Sequence, residues 1–389
     1  MSSQMRHLSG DLLVLAVLIG ALVFLVRQNA LQSPPPDAVA TTTSQVSASA
    51  AVTAPTNTPP AATSSPPSVS AEPLPPDSKN AQQQSQDIAS SVEGPPQASR
   101  IENPYTTPAL APAEVSAGAR AALVNIFCYS GAGGGLRPIS GSGVLIDSRG
   151  VILTNAHVAQ YVLLSESPQM DLDCYVRNGA PAVAHWVPRV LYIPAIWVRA
   201  HAADITADRP LGTGEHDYAL LSIAASVDDS PLPAFPILAP DTREAIAFVG
   251  DQALVSSYPA EFAGASASLN LYPASTFTTI KEFLTFSSGT VDVISVGSVI
   301  QAQTGSSGGA VVNDWGRLVG IITTTSNGAT TAERELRGIT LSYIDRDLVA
   351  QTGAGLAVML AGDTAARTDE FSITQAPLLM QLFLKQLIK

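Results

Sequence analysis

The chain has 389 residues, only 20 of them Lys or Arg, and a formal net charge of −12. No basic run is available to track a phosphate backbone, so nucleic acid is not an expected partner. The two cysteines are too few for a metal framework and neither sits in a C-x-x-C pair, so no metal or cofactor is expected.

Residues 12–26 form an uncharged apolar run of 15 residues between Asp11 and Arg27. As a helix it would span about 22 Å against a hydrocarbon core of about 30 Å, which is short for an anchor and long for a signal-peptide core. Arg27-Gln28-Asn29-Ala30 offers a single small residue where cleavage would fall. A retained single-pass membrane anchor is therefore expected over residues 1–30, with a cleaved signal as the alternative. Residues 31–115 hold 16 of the 29 prolines and one aromatic, Tyr105. Such a segment lacks the apolar area to offset backbone ordering at roughly 1–2 kcal/mol per residue, and a disordered linker is expected.

From residue 116 to about 350 the chain changes to short apolar runs punctuated by glycine and proline. Strands are expected at residues 122–128, 142–147, 151–154, 218–223, 246–250, 289–299, 310–313, 318–325 and 338–343. No amphipathic helix of twelve or more residues interrupts them, so the fold class read from the pattern is all-β, a barrel or sandwich. A short helix over residues 345–350 is expected to close it. Residues 351–389 form a tail whose end, from Ala376, alternates Gln381, Lys385 and Lys389 with leucines and Phe383. This is an amphipathic helix expected to dock on the barrel or on another subunit, with a membrane surface as the alternative.

Three residues in this segment suit nucleophilic catalysis in concert. Ser307 lies in Thr304-Gly305-Ser306-Ser307-Gly308-Gly309, between strands. A serine hydroxyl attacks well only when an imidazole takes its proton, and the glycines allow a tight turn in which the amides of Gly305 and Ser307 share one small volume, as an oxyanion hole requires. Of five histidines, His7 adjoins the apolar run, His185 and His201 have no partner signal, and His216 is ambiguous beside Asp217. His157, after the strand pair in Leu153-Thr154-Asn155-Ala156-His157-Val158, is the candidate base. Asp217 opens a buried run, Tyr218-Ala219-Leu220-Leu221, and a carboxylate entering a core needs a partner such as an imidazole N–H. Glu215 is the rival acid and is expected to be solvated. The order His, Asp, Ser and the strand that follows Ser307 exclude an α/β-hydrolase elbow.

Taken together, Gly141-Ser142-Gly143-Val144, Thr154-Asn155-Ala156-His157, Asp217-Tyr218-Ala219-Leu220-Leu221 and Gly305-Ser306-Ser307-Gly308-Gly309 resemble the trypsin-like serine endopeptidases, and within them the HtrA/Deg-like bacterial branch. The resemblance covers residues 116–350. It implies two six-stranded antiparallel β-barrels with the active site in the cleft between them. It also implies His157 as general base and acid, Asp217 as its orienter, Ser307 as nucleophile, and the Gly305 and Ser307 amides as oxyanion hole. Protein or peptide substrates, and a catalytic domain held outside the cytoplasm at the bacterial cell membrane, follow from the same likeness. Cys128 and Cys174, which flank the His157 region, are candidates for a disulfide if the domain is exported, or for two small buried hydrophobes.

The chain departs from the family pattern in three places. Ser306 stands where digestive members carry an aspartate, so activation by pairing with a new amino terminus is not expected. The tail is too short for a PDZ domain. The substrate pocket is expected near Gln301, with Thr323 and Thr325 in its wall and no acid to hold Lys or Arg, which implies cleavage after small or medium aliphatic residues. The rival reading is an inactive barrel that binds proteins, its cleft covered by residues 165–210 with Trp186 and Trp197. A homo-oligomer is open on either reading.

Overall fold

The computed structural model describes residues 90–91, 103–131, 136–207, 213–244, 247–261, 270–286, 289–325 and 333–387. The chain divides into Met1–Pro76 and Asp77–Lys389, and every described residue belongs to the second unit. The expected anchor over residues 12–26 and most of the expected linker lie outside the described residues.

After the two-residue strand Ser90–Ser91 (β1), the domain begins with helix α1, Pro112–Ala122. Proline fits at the first helical position, and the Ala111 N–H donates to Glu114 Oε2 (3.0 Å). Val115, Ala119 and Ala122 then fall on one buried face. Just before it, Tyr105 is docked: its hydroxyl donates to Asp241 Oδ2 (2.6 Å) and its ring lies 5.3 Å from that of Trp315.

Six strands follow: Leu123–Ser130 (β2), Ile139–Asp147 (β3), Val151–Thr154 (β4), Leu172–Asn178 (β5), Val183–Tyr192 (β6) and Ala219–Ser226 (β7). They close a barrel in the order β2-β3-β4-β7-β6-β5. Cys128 and Cys174 face each other across β2 and β5 and are joined by a disulfide. Helix α2 (Ala156–Ser165) follows β4, and helix α3 (Ala195–His201) with a 3₁₀ turn (Ala202–Thr206) fills the connection from β6 to β7.

The second half is Gln252–Ser257 (β8), Ala274–Thr279 (β9), Glu282–Thr285 (β10), Val293–Ser295 (β11), Ala310–Val312 (β12), Leu318–Thr325 (β13) and Leu336–Thr340 (β14). With β1 they form an open sheet, β1-β10-β11-β14-β13-β12-β8-β9. The sheet stays open because β9 runs into β10 across Ile280 without pairing with it. The Ile280 N–H donates to Asp251 O, its carbonyl accepts from Gly250, and Lys281 N–H turns away to Ser295 O. Val255, Ile294, Val311 and Ile322 are among the residues of its own buried core.

Helices Leu341–Thr352 (α4), Leu356–Leu360 (α5), Thr364–Thr374 (α6) and Ala376–Leu387 (α7) complete the chain. Thr340 and Asp363 cap α4 and α6 through their side-chain oxygens. The last helix buries Ala376, Leu379, Phe383 and Leu384 against α2, α3, α6 and the 3₁₀ turn. It docks beside the closed barrel of its own chain.

Two expectations need correction. The fold is mixed α/β, with one closed six-stranded barrel and one open sheet, rather than all-β with two closed barrels. The helix after β4 escaped the pattern because α2 spans only ten residues and buries most of them, Gln160 with Val158, Val162, Leu163 and Leu164, and so shows little polar contrast. The membrane reading is corrected as well. Among the described residues no helix is long and apolar enough to cross a membrane, and nothing described supports a single-pass topology, a membrane partner or a membrane location.

Candidate active site

His157 stands in the first turn of α2, where the residue before the helix, Asn155, does not cap it with its own side chain. Asn155 instead donates its Nδ2–H to the Asp217 carbonyl (2.7 Å). The capping role passes to Asp217, whose Oδ1 accepts the His157 main-chain N–H (2.9 Å). A carboxylate at a helix amino terminus is favoured by the unsatisfied N–H groups there. The other carboxylate oxygen, Oδ2, accepts from His157 Nδ1 (2.7 Å) and from Thr323 Oγ1–H (2.9 Å). One acid therefore fixes both the backbone and the ring of the histidine, leaving Nε2 for the cleft.

Burial alone would lower the pKa of the His157 ring, but the charge and hydrogen bond of Asp217 outweigh it and hold the ring above its ordinary value of 6.5. Burial likewise opposes ionisation of Asp217, and the His157, Thr323 and backbone contacts more than offset it, so its carboxyl lies below the usual range. The histidine side chain keeps 31% of its surface exposed, against 8% for the aspartate. The His157 ring can be reached from the cleft, whereas Asp217 is sealed.

Ser307 is placed by the other half of the domain but fastened by the first. Its carbonyl accepts from Ser142 N–H (2.7 Å), and Ser142 Oγ–H donates to Gly305 O (2.8 Å) while accepting from Tyr258 N–H (2.9 Å). Thr154 Oγ1–H donates to Ser142 O (2.7 Å) and completes the bridge. Gly305 and Gly308 adopt positive φ, 93° and 83°, and a Cβ on Gly308 would stand 2.1 Å from the Ser142 carbonyl oxygen. Only glycine fits such a turn and such an approach. Among the described residues, the amides of Gly305 and Ser307 have no acceptor, and the Ser307 hydroxyl has no hydrogen-bond partner. Ser306 points inward and accepts from Ser257 Oγ–H (3.0 Å).

His157, Asp217, Gly305, Ser307 and Thr323 all line one cleft of about 740 Å³. Leu336, Ile322, Gln303 and Arg334 form part of its wall, with Trp197 and His201 on the α3 side. Gln301, expected at the pocket floor, is buried and donates to Thr276 Oγ1 (3.0 Å), and it does not line the cleft. Thr323 lines it and also holds Asp217. Thr325 is the last residue of β13, and its side chain lies outside the described ones. Trp186 packs edge-on against Phe235 instead of covering the site. Among the described residues no cluster suits a metal ion.

Residues 141–321 match the family described as trypsin-like peptidase domain. Over these residues the findings support a trypsin-like serine-protease domain. A search of curated proteins finds no match to the chain, and nothing in these comparisons ties the domain to the HtrA/Deg-like branch. Ser142 sits inside a motif legible in the sequence, yet its contacts with Gly305, Ser307 and Tyr258, like that of Thr323 with Asp217, become visible only when the two halves meet.

Proposed function

We propose that the domain is a serine endopeptidase in which Ser307 is the nucleophile, His157 the general base and acid, and Asp217 the orienter. The observation that carries this reading is the Asp217–His157 pair opening on the cleft that Ser307 and two acceptor-free amides also line. Ser307 Oγ attacks the scissile carbonyl as His157 Nε2 takes its proton, and the oxyanion is held by the Gly305 and Ser307 N–H groups. The imidazolium then protonates the leaving amine, and water hydrolyses the acyl-enzyme by the same proton path. Asp217 stays ionised throughout, stabilising the imidazolium.

Small or medium aliphatic residues are the proposed side chains before the scissile bond. Ile322 and Leu336 in the cleft wall support this. The Cys128–Cys174 disulfide supports work in an oxidising compartment on extracytoplasmic proteins. The HtrA/Deg-like assignment rests on the four sequence motifs. A peptide library incubated with wild type and with Ser307→Ala tests both levels. Cleavage after Val, Ala or Leu by wild type alone is expected. Cleavage after Lys, Arg or Phe would reject the specificity, and equal cleavage by both proteins, or none by either, would reject the enzyme in favour of a binding module.

A further inference from the structure

His216 holds a left-handed backbone conformation, φ 57°, immediately before Asp217. Residues with side chains rarely adopt it unless neighbouring contacts impose it. Those contacts come from α4. His216 Nδ1 lies 3.0 Å from both carboxylate oxygens of Asp347, and the His216 N–H donates to Tyr343 Oη (3.0 Å). The residue after Asp217 is tied to the same acid, because Tyr218 Oη–H donates to Asp347 Oδ2 (2.8 Å). Gln351 Nε2–H donates there too. Asp347 is buried, with 8% of its side chain exposed. A single carboxylate on a helix beyond the last strand thus grips both neighbours of Asp217.

We propose that Asp347, acting through His216 and Tyr218, is a positioning residue that holds the Asp217 carboxylate in register with the His157 ring. The proposal rests on the endopeptidase reading above. A loop clamped on one side only could rotate about Asp217, whereas clamps on both sides fix where its carboxylate points. The groups facing His216 are Glu215 (3.8 Å from Nε2) on its own loop and Asp347 and Tyr343 on α4, with Tyr218, just before β7, bonded to the same Asp347 carboxylate. Tyr192 on β6 reaches the cluster through Gln351. Burial opposes a charge on His216, but the Asp347 hydrogen bond and charge, with Glu215, raise its pKa above the ordinary value, which favours the tie near neutrality.

The full chain with Asp347→Asn, with His216→Asn and with both is compared with wild type by fluorophosphonate labelling of Ser307, peptide hydrolysis against pH, and thermal unfolding. Asparagine tolerates a positive φ, so His216→Asn carries the test if Asp347→Asn does not fold. Each single variant is expected to lose roughly 10–100-fold in kcat with little change in KM, and the pair is expected to lose no more than Asp347→Asn alone. The acid limb of kcat/KM should move to lower pH, as His157 loses close contact with Asp217. A folded variant with wild-type rates, or with slower rates and an unmoved acid limb, would overturn the proposal while leaving the endopeptidase reading intact. A wild-type protein that is not labelled at Ser307 would remove both.

Discussion

The closed barrel and the open sheet contribute to the cleft in opposite ways. The barrel delivers His157 and Asp217 already bonded to each other, on a helix and on the loop that leads into β7, beside ladders that return on themselves. The open sheet delivers Ser307 on a loop whose hydroxyl has no partner among the described residues, and that loop is pinned by Ser142 of the barrel. Stiffness is thus concentrated where a charge pair must be aimed. The proposed nucleophile and its amides are left for a substrate to engage, in a position borrowed from the neighbouring half.

This division of labour can be broken first at its reactive ends. Ser307→Ala is expected to reduce kcat by about 10⁶ while leaving the unfolding midpoint unchanged, measured with any peptide that wild type cleaves. Asp217→Asn should cost about 10⁴ in kcat, since His157 would lose the partner that fixes its tautomer. Next comes the fastening. Gly308→Ala forces a Cβ into the Ser142 carbonyl and strains a positive φ, at about 1–3 kcal/mol for the backbone alone. Labelling at Ser307 should fall with it. Ser142→Ala removes one donor and one acceptor from the bridge, and is expected to lower kcat more than stability, by about 1–3 kcal/mol in the activation barrier.

The pair in the barrel also sets a pH dependence with opposite signs for rate and stability. Protonated His157 cannot accept the Ser307 proton, so kcat/KM should rise with pH and reach half its plateau above 6.5, the ordinary histidine value. Because the folded pKa is the raised one, the ion pair contributes its full stability below the unfolded value. That contribution is lost as pH climbs through the folded value. His157→Ala should therefore lower the unfolding midpoint more at pH 6 than at pH 9, by roughly 1 kcal/mol or less given the partly exposed ring.

The residues proposed as reactive stand out in the sequence because each carries local chemistry. Glycines crowd Ser307, an apolar run follows Asp217, and few histidines compete with His157. The positions of the core strands β2, β3, β4 and β7 were legible for a similar reason, as mostly apolar runs. β5 and β6 were hidden by polar residues and by Pro188, which sits at a register shift in the β6–β7 ladder. In the run expected as a strand at residues 246–250, the described residues from 247 lead into a turn, with Gly250 at φ 92° and mutual Phe248–Asp251 hydrogen bonds, and the strand starts at Gln252. The openness of the second sheet depends on where Ile280 and Lys281 send their amides, and no local pattern encodes that. Gln301 was expected at the pocket floor from the family likeness, which carries a position in the chain but not the direction of a side chain; here it bonds to Thr276.

The most direct measurement is mass spectrometry of the full chain after exposure to a fluorophosphonate, in wild type and in His157→Ala. The account predicts one adduct, on Ser307, in wild type, and labelling slowed by orders of magnitude without the imidazole. An adduct on another residue, or on Ser307 at the same rate in both proteins, would contradict it.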